Sequence, residues 1–224
     1  MAAVDVGRLQ RAVRRYGIRG TAVRAAALVK HTLAGFEQEH VWYQLPLRAA
    51  RPRRELDPAF RLVRAGEDDI PRMVWEIDPG EAARRLRSGG TLWLVLEGEE
   101  PAFSCWTFRG RTPIRAAQGG WLELPDNTAC LEESMTSEAY RGRSVAPGAW
   151  TLIADELAGD PALMRLVTAV EEENAASRAA VAKVGFAEIG RARTAKRGRR
   201  LSVSVTSPAL DGDGAFLRPL ERQR

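Results

Sequence analysis

The order strand, helix, strand between residues 129 and 170 constrains the fold more than any other feature of the sequence. The segment ACLEESMTS (129–137) is predicted as a strand, and a helix is predicted from about Ala146 to Leu157. The apolar run LMRLVTAV (163–170) is typical of a buried strand. Because two strands joined by one helix normally lie parallel in the same sheet, the pattern predicts a local parallel unit.

The elements around this unit predict one mixed α/β domain over residues 60–205. From residue 60 the predicted order is β-α-α-β-β-β-α-β-α-β-β, which favours a mixed sheet with helices on both faces. The remaining predicted strands are 60–65, 91–98, 101–110, 185–193 and 200–205, and the remaining helices are 67–77, 80–90 and 174–184. Residues 111–120 are predicted as a loop.

The N-terminal part of the chain has a different character. Residues 1–64 contain 13 Lys and Arg against 5 Asp and Glu, within a chain of net charge +5. We interpret residues 1–48 as a basic helical extension, with helices at 5–17 and 21–34 and a strand at 40–47. An Arg- and Pro-rich linker (49–59) separates it from the domain, and residues 206–224 form a tail.

Charge, hydropathy and cysteine content exclude several classes of protein. No apolar run approaches the roughly 18 residues of a membrane span, and MAAVDVGRLQRA lacks the apolar core of a signal peptide. Only 3 of 34 basic residues are lysine, a skew typical of base composition, so nucleic acid is not an expected partner. Cys105 and Cys130 lack metal-like spacing, which predicts buried thiols in a cytoplasmic protein without a metal.

The stretch YRGRSVAPGAW (140–150) joins the predicted strand to the predicted helix. The first N–H groups of a helix have no partner inside it and lie at the positive end of its dipole. Gly142 permits close approach, and Arg141 and Arg143 add positive charge. The corner is therefore a candidate pyrophosphate site, and the alternative is a helix start with surface arginines.

A second motif, EENAASRAAVAKVGF (172–186), places Asn174 as the N-cap of a helix that ends at Gly185. In this order and spacing, MTSEAYRGRSVA (135–146) and VEEENAASRAAVAKVGF (170–186) resemble the GNAT superfamily of acyl-CoA-dependent N-acyltransferases. The resemblance covers about residues 60–205.

The resemblance implies that acetyl-CoA is the co-substrate and lies where strand 129–137 splays from strand 163–170. Backbone groups at Met135 and Thr136 would pair with pantetheine, and one N–H would stabilise the thioester oxyanion. Asn174 and Ser177 would contact pantetheine or the leaving thiol. The residues implied for the pyrophosphate are Arg141, Gly142, Arg143, Ser144, Val145 and Ala146.

The chain departs from the family pattern at three positions. Ser144 replaces a loop glycine; with a negative φ angle it could still donate its N–H and its hydroxyl, and Pro147 costs no bond in the first turn of the helix, so we expect cofactor binding to survive. Ala169 and Val181 replace a Glu and a Tyr of members that acetylate protein N-termini. Ser177 or water would then protonate the thiolate, whose pKa of about 8.5 makes it a good leaving group.

Glu132 and Glu133 are the candidate catalytic bases, because both lie beside the expected thioester. Since successive strand residues point to opposite faces, only one is expected to face the site, and Glu132 is the better candidate. The "LE" before the loop resembles members that acetylate amino sugars, in which this Glu holds the substrate ammonium. Trp121 is a candidate for lining the substrate pocket. His31 and His40, outside the expected domain, receive no role.

These residues predict an acetyl-CoA-dependent N-acetyltransferase acting on a primary amine of a small molecule, such as an amino sugar or a specialised metabolite. Two alternatives stay open: transfer to a protein or peptide amine, and a non-catalytic acyl-CoA-binding module. Residues 1–48 resemble leading helices of GNAT-like proteins in bacterial surface-polysaccharide pathways, so contact with a membrane surface or a protein is left open. Homodimer formation is also left open.

Overall fold

Eight strands form one mixed sheet at the centre of the molecule. The computed structural model describes residues 36–74, 77–114, 120–197, 200–206 and 214–222. The sheet order is β10-β9-β1-β8-β7-β4-β3-β2, and β5 and β6 form a separate two-stranded sheet. The strands are β1 Phe36–Pro46, β2 Phe60–Ala65, β3 Thr91–Glu97, β4 Glu100–Arg109, β5 Arg111–Pro113, β6 Trp121–Glu123, β7 Thr128–Thr136, β8 Arg165–Glu171, β9 Ala187–Arg197 and β10 Arg200–Thr206.

Helices cover both faces of this sheet, which confirms the predicted mixed α/β fold. The α-helices are α1 Pro79–Arg87, α2 Val145–Ala158 and α3 Ala175–Val184, and the 3-10 helices are Glu67–Arg72, Glu138–Tyr140 and Ala215–Arg222. Leu92 and Leu94 pack in one cluster with Ala82 of α1. Their neighbour Trp93 packs with α2 and α3 instead, because adjacent strand residues point to opposite faces. Among the described residues, no helix is long and apolar enough to cross a membrane.

Strands β7 and β8 form the predicted parallel pair, and α2 is the crossover between them. The strand pairs on either side of this unit are antiparallel. The sequence determines the ends of α3 locally: Asn174 caps its first turn, and Gly185 ends it with a φ of +95°.

Strand β1 lies inside the sheet, between β8 and β9, and is antiparallel to both. The sequence predicted a strand at 40–47 within the extension 1–48. Its position shows that residues 36–46 belong to the same sheet as the strands of residues 60–205. The helices predicted at 5–17 and 21–34 lie outside the described residues.

The structure corrects two local predictions. The helix predicted over 67–77 is a 3-10 helix that ends at Arg72, because Pro71 lacks the N–H that an α-helical bond to Glu67 requires. The predicted loop 111–120 begins with β5, which pairs with β6. In the tail, Leu217 and Leu220 are buried against the sheet.

The segment between β1 and β2 is a strap across α2 and α3. Arg51 and Arg53 both pair with Asp155 of α2, and the Arg54 guanidinium donates to the carbonyl oxygen of Lys183 at the end of α3. Gly148 permits this approach, since a Cβ there would lie 2.9 Å from the Cα of Leu56. The strap therefore fixes both helices relative to β1.

Replacing Asp155 should weaken the strap. The Arg51 side chain is only 10% exposed, so Asp155→Asn removes the charged acceptor of a nearly buried cation and should lower the free energy of unfolding by about 1.5–3 kcal/mol. Glu156→Gln, which breaks the exposed pair with Arg64, should change it by less than about 1 kcal/mol. Urea unfolding of both variants measures the difference, and equal effects would contradict the role of the strap.

Candidate active site

Strands β7 and β8 part in the middle of the sheet. Their described register contains four pairs, from Thr128–Arg165 to Leu131–Thr168, although β7 continues to Thr136 and β8 to Glu171. The Thr168 hydroxyl donates to the Leu131 carbonyl oxygen at 2.8 Å, at the point where pairing ends. The facing edges of the two strands beyond this point are not joined to each other, and they leave a wedge.

A β-bulge lies at the opening of the wedge. Trp106 of β4 pairs with Glu132, and Ser104 pairs with Met135, so Glu133 and Ser134 together oppose one residue of β4. The φ angle of Glu133 is +54°. A non-glycine residue in this region costs of order 1–3 kcal/mol and persists only where its surroundings hold it. Because a bulge bends its strand, it gives β7 a physical reason to diverge from β8.

A buried ion pair holds the bulge. Arg85 Nη1 of α1 lies 2.8 Å from Glu133 Oε1, and the Glu133 side chain is 0% exposed. Arg85 Nε also donates to Glu81 at 3.0 Å, and the guanidinium lies over the Trp106 ring. Burial is the largest single influence on the Arg85 pKa and would lower it, but the charge of Glu133 and the hydrogen bonds to Glu133 and Glu81 together outweigh burial and raise the pKa. The Glu133 carboxylate therefore faces a permanent cation.

The expectation that Glu132 and Glu133 point to opposite faces is wrong, because the bulge interrupts the alternation. Glu132 is directly opposite Trp106 in the register, and the Arg85 that binds Glu133 lies over the same Trp106 ring. Both carboxylates therefore lie on the Trp106 face of the sheet. Their contacts differ, since Glu133 is in a buried ion pair.

Glu132 accepts from the Thr112 hydroxyl at 3.4 Å and from the Cys130 thiol at 3.3 Å. Burial, and secondly the Glu132 charge, raise the pKa of the Cys130 thiol well above its usual value. Burial likewise raises the pKa of Cys105. Both cysteines are free and buried, as predicted, and both are protonated thiols at neutral pH.

A cavity of about 490 Å³ runs through the wedge. On the face of the sheet that α2 and α3 cover, the cavity is lined by Ser134, Trp150 and Val181. The Trp150 indole N–H donates to the Ser134 hydroxyl at 3.1 Å. The predicted site residues that line this cavity are Glu132, Glu133, Met135, Asn174 and Ser177. The parted strands thus bring together residues from both sequence motifs.

At the start of α3, the Asn174 side-chain oxygen accepts from the Ser177 N–H at 3.0 Å. This confirms the predicted N-cap. The cap holds both residues of the second motif at the cavity wall.

The predicted phosphate loop leads into α2, whose first two residues are Val145 and Ala146. Their N–H groups belong to the first turn, where a helix supplies no internal acceptor. Pro147 is the third residue of α2, so its missing N–H removes no helical bond. The N-terminus of α2 keeps the geometry that an anion site requires.

Ser144 adopts a φ of +56°, so the negative φ angle that was set as the condition for donation by this serine is not met. This left-handed conformation suits the glycine that the family pattern has at this position, and a serine adopts it at a cost. Gly142 also has a positive φ, of +82°. Arg143 pairs with Glu97 at 2.9 Å, and Arg141 is exposed.

Strand β1 supplies cavity residues that the sequence analysis missed. Gln38, His40 and Trp42 alternate along β1 and line the cavity. His40 is directly opposite Glu171 of β8, and the Gln38 amide donates to the Glu171 carboxylate at 2.7 Å. The period-two pattern of β1 was visible in the sequence, but nothing local indicates that this strand inserts beside β8.

Trp121 is placed next to the cavity wall rather than in it. Its ring meets Phe108 edge to face at 6.3 Å, and the Arg111 guanidinium lies 4.6 Å from its centre. The neighbouring Leu122 does line the cavity. Elsewhere, the described residues contain no group of three or more His, Cys, Asp or Glu arranged to hold a metal ion.

The buried pair predicts a large loss of stability in Arg85→Met. The Glu133 carboxylate would stay buried without its cation, which should lower the free energy of unfolding by about 3–5 kcal/mol. Removing the carboxylate as well, in Arg85→Met/Glu133→Met, should recover part of this loss. Arg84→Met is the matched control, because Arg84 binds the same Glu81 with a side chain that is 64% exposed.

Urea unfolding compares the four proteins. The control should change stability by less than about 1 kcal/mol. If Arg85→Met and Arg84→Met proved equally stable, the bulge would not depend on the ion pair.

Solved structures with related folds include several acetyltransferases. A Drosophila protein superposes with a TM-score of 0.52 at 13% identity, covering 77% of this chain and 55% of that chain. A GCN5-related N-acetyltransferase from Sphaerobacter thermophilus gives 0.50 at 10% identity, with 80% and 57% covered. A GNAT-family acetyltransferase from Colwellia psychrerythraea gives 0.49 at 13% identity, with 75% and 59% covered.

This chain thus spans less than three fifths of the length of each of these three proteins. Comparison with models of protein families found no match. Comparison with curated proteins found none either. The superposition on the Sphaerobacter thermophilus structure covers most of this chain, including 80% of its residues, and shows a likeness of fold. The chain therefore has the fold of the GNAT superfamily of N-acyltransferases.

Proposed function

We propose that the protein is an acetyl-CoA-dependent N-acetyltransferase acting on a primary amine of a small molecule. One observation carries this proposal: β7 and β8 part after Leu131 and Thr168, and a cavity passes between them to reach both faces of the sheet. The pantetheine arm of acetyl-CoA carries amide groups, so it can extend a sheet edge by backbone hydrogen bonds, and an amine can meet the thioester from the other face.

We assign acetyl-CoA binding to the side of the wedge that α2 and α3 cover. The β7 edge at Met135 and Thr136 supplies backbone groups for pantetheine, and one N–H there stabilises the oxyanion. The diphosphate is assigned to the N–H groups of Val145 and Ala146, where the α2 dipole is positive. Arg141 is exposed beside them and adds a cation.

The proposed reaction is a direct transfer. The amine nitrogen attacks the acetyl carbonyl carbon, a C–N bond forms, and the C–S bond breaks to release CoA thiolate. Glu132 takes the proton that the nitrogen loses, and Ser177 or water protonates the thiolate. Glu133 is not the base in this scheme, because its carboxylate is engaged by Arg85.

Two features of the cavity support a small acceptor over a peptide. Ala169 and Val181 line it at the positions where the resemblance would require a Glu and a Tyr for peptide N-termini. Its far side is lined by the apolar side chains of Ile114, which follows β5, of Leu122 in β6 and of Leu220 in the last 3-10 helix. These side chains offer no hydrogen-bond partners to the backbone of an extended peptide.

Two departures from the family pattern favour one alternative, a module that binds acyl-CoA without catalysis: a serine in place of the left-handed glycine at position 144, and Val181 in place of a tyrosine. Transfer to an amine, detected as CoA thiol release with acetylation of the acceptor, separates an enzyme from such a module. Stabilisation by acetyl-CoA alone does not, since any ligand of the folded state stabilises it.

Paired substitutions at Ser144 test the diphosphate site. Ser144→Gly suits the positive φ, so CoA affinity should stay within about threefold of the original and stability should not fall by more than about 1 kcal/mol. Ser144→Glu should abolish measurable CoA binding, because its carboxylate repels the diphosphate. Calorimetric titration with CoA measures both, with circular dichroism as the control for folding. Unimpaired binding by Ser144→Glu would remove the diphosphate from this corner.

Glu132→Gln tests the base. Its turnover should fall by about 100-fold or more while CoA affinity is kept, because the amide cannot accept the proton. Glu123→Gln, at the exposed last position of β6, is the matched control and should keep full activity. A fully active Glu132→Gln enzyme would show that the base assignment is wrong.

A further inference from the structure

We propose that the acceptor is an amine whose body is a hydrocarbon chain or ring, and that this body packs in an apolar chamber beside Glu132. This inference rests on the proposed function and names the class of amine that the same cavity takes. Three features of the cavity support it: the apolar side chains of its interior, the position of Glu132 at the edge of that interior, and the placement of the other polar side chains at one end.

Apolar side chains line the cavity on the face of the sheet opposite α2 and α3. Val41 and Tyr43 of β1 pack with those two helices, so the residue between them, Trp42, points to the other face. There it belongs to a packed cluster that includes residues of β6, β8, β9, β10 and the last 3-10 helix. We call the space lined by members of this cluster the apolar chamber, and its walls include Trp42, Ile114, Leu122, Ala192, Val203 and Leu220.

The walls of the apolar chamber come from two layers. Trp42, Ala192 and Val203 belong to β1, β9 and β10, which are neighbours in the large sheet. Leu122 and Leu220 belong to the small sheet and the last 3-10 helix, which pack against that face. Trp42 is 6% exposed, Leu122 is 1% exposed and Leu220 is 3% exposed, so the interior has little contact with water. A body that enters it leaves water, which favours hydrocarbon groups and disfavours hydroxyl groups.

Glu132 lies at the edge of the apolar chamber. The thiol of Cys130, a member of the same cluster, lies 3.3 Å from the Glu132 carboxylate. The Thr112 hydroxyl lies 3.4 Å from the same carboxylate, and Thr112 is directly opposite Leu122 in the small sheet. An amine nitrogen that reaches Glu132 therefore has its carbon substituents beside the chamber walls.

The other polar side chains on this face lie at the end of the cavity where β1 begins and β8 ends. Glu171 is the last residue of β8 and is exposed, and the half-buried Gln38 donates to it at 2.7 Å. Thr194 is directly opposite Gln38 in the register of β1 and β9. An amino sugar carries hydroxyl groups on most of its carbons, and the apolar side chains of the chamber offer these groups no hydrogen-bond partners.

The experiment compares hydrocarbon amines with polar amines on the full chain. Thiol release from acetyl-CoA is measured at pH 8 with n-alkylamines of two to eight carbons, with aminoethoxyethanol, which has the length of n-hexylamine, and with glucosamine. The expected kcat/KM rises by about fourfold for each added methylene group over at least three steps. It is at least about tenfold higher for n-hexylamine than for either polar amine. A flat alkyl series, or equal values for n-hexylamine and the polar amines, would overturn the inference.

Val203→Thr tests the chamber wall, because it keeps the shape of the side chain and replaces a methyl group with a hydroxyl group. KM for n-hexylamine should rise by about fourfold with kcat nearly unchanged. KM for ethylamine, which is too short to fill the chamber, should stay within about twofold.

Val205→Thr is the matched control for this substitution. Val205 lies on the same face of β10 and in the same cluster, but it does not line the cavity. It is 6% exposed, so a general loss of stability would affect it as well, and its kinetics with both amines should match those of the original protein. Equal effects of the two variants, or equal changes with both amines, would contradict the assignment of the chamber.

Calorimetric titration of n-hexylamine into the protein saturated with CoA separates this inference from the proposed function. Binding that Val203→Thr weakens, without thiol release from acetyl-CoA with any amine, would support the chamber and overturn the acetyl transfer. Thiol release with glucosamine, together with no measurable binding of n-hexylamine, would support the acetyl transfer and overturn the inference.

Discussion

The divergence of β7 from β8 is the constraint on which the site depends. Parallel strands in the middle of a sheet normally satisfy each other's backbone groups, so leaving them apart requires a local cause. That cause is the bulge at Glu133, where a left-handed backbone is held by a carboxylate buried against Arg85. The ion pair with α1, on one face of the sheet, thus fixes the backbone of β7. The cavity beside β7 extends to the other face of the sheet.

The contribution of β1 makes this a sheet assembled from two separated parts of the chain. Residues 40–46 pair with β8 along its length and hold it in place while β7 turns away. The same strand brings Gln38, His40 and Trp42 to the cavity, and the strap that follows it ties α2 to α3. One segment therefore supports the side of the wedge that α2 and α3 cover and forms part of the opposite wall.

Much of the fold was predictable because its signals are local. Asn174 and Gly185 mark the ends of α3 by capping chemistry, and the strand–helix–strand order predicted the parallel pair correctly. The missed features depend on tertiary contacts: the insertion of β1, the bulge that places Glu132 and Glu133 on one face, and the left-handed Ser144. No local pattern specifies which residue a distant Arg85 will hold. For the same reason, His40 was given no role, although it lines the cavity.

The most direct measurement is a crystal structure of the protein with bound acetyl-CoA. The account predicts pantetheine between β7 and β8, hydrogen-bonded to the β7 edge at Met135 and Thr136, with the diphosphate on the N–H groups of Val145 and Ala146. A nucleotide bound elsewhere, or β7 and β8 paired through Thr136 and Glu171 with no room between them, would contradict it.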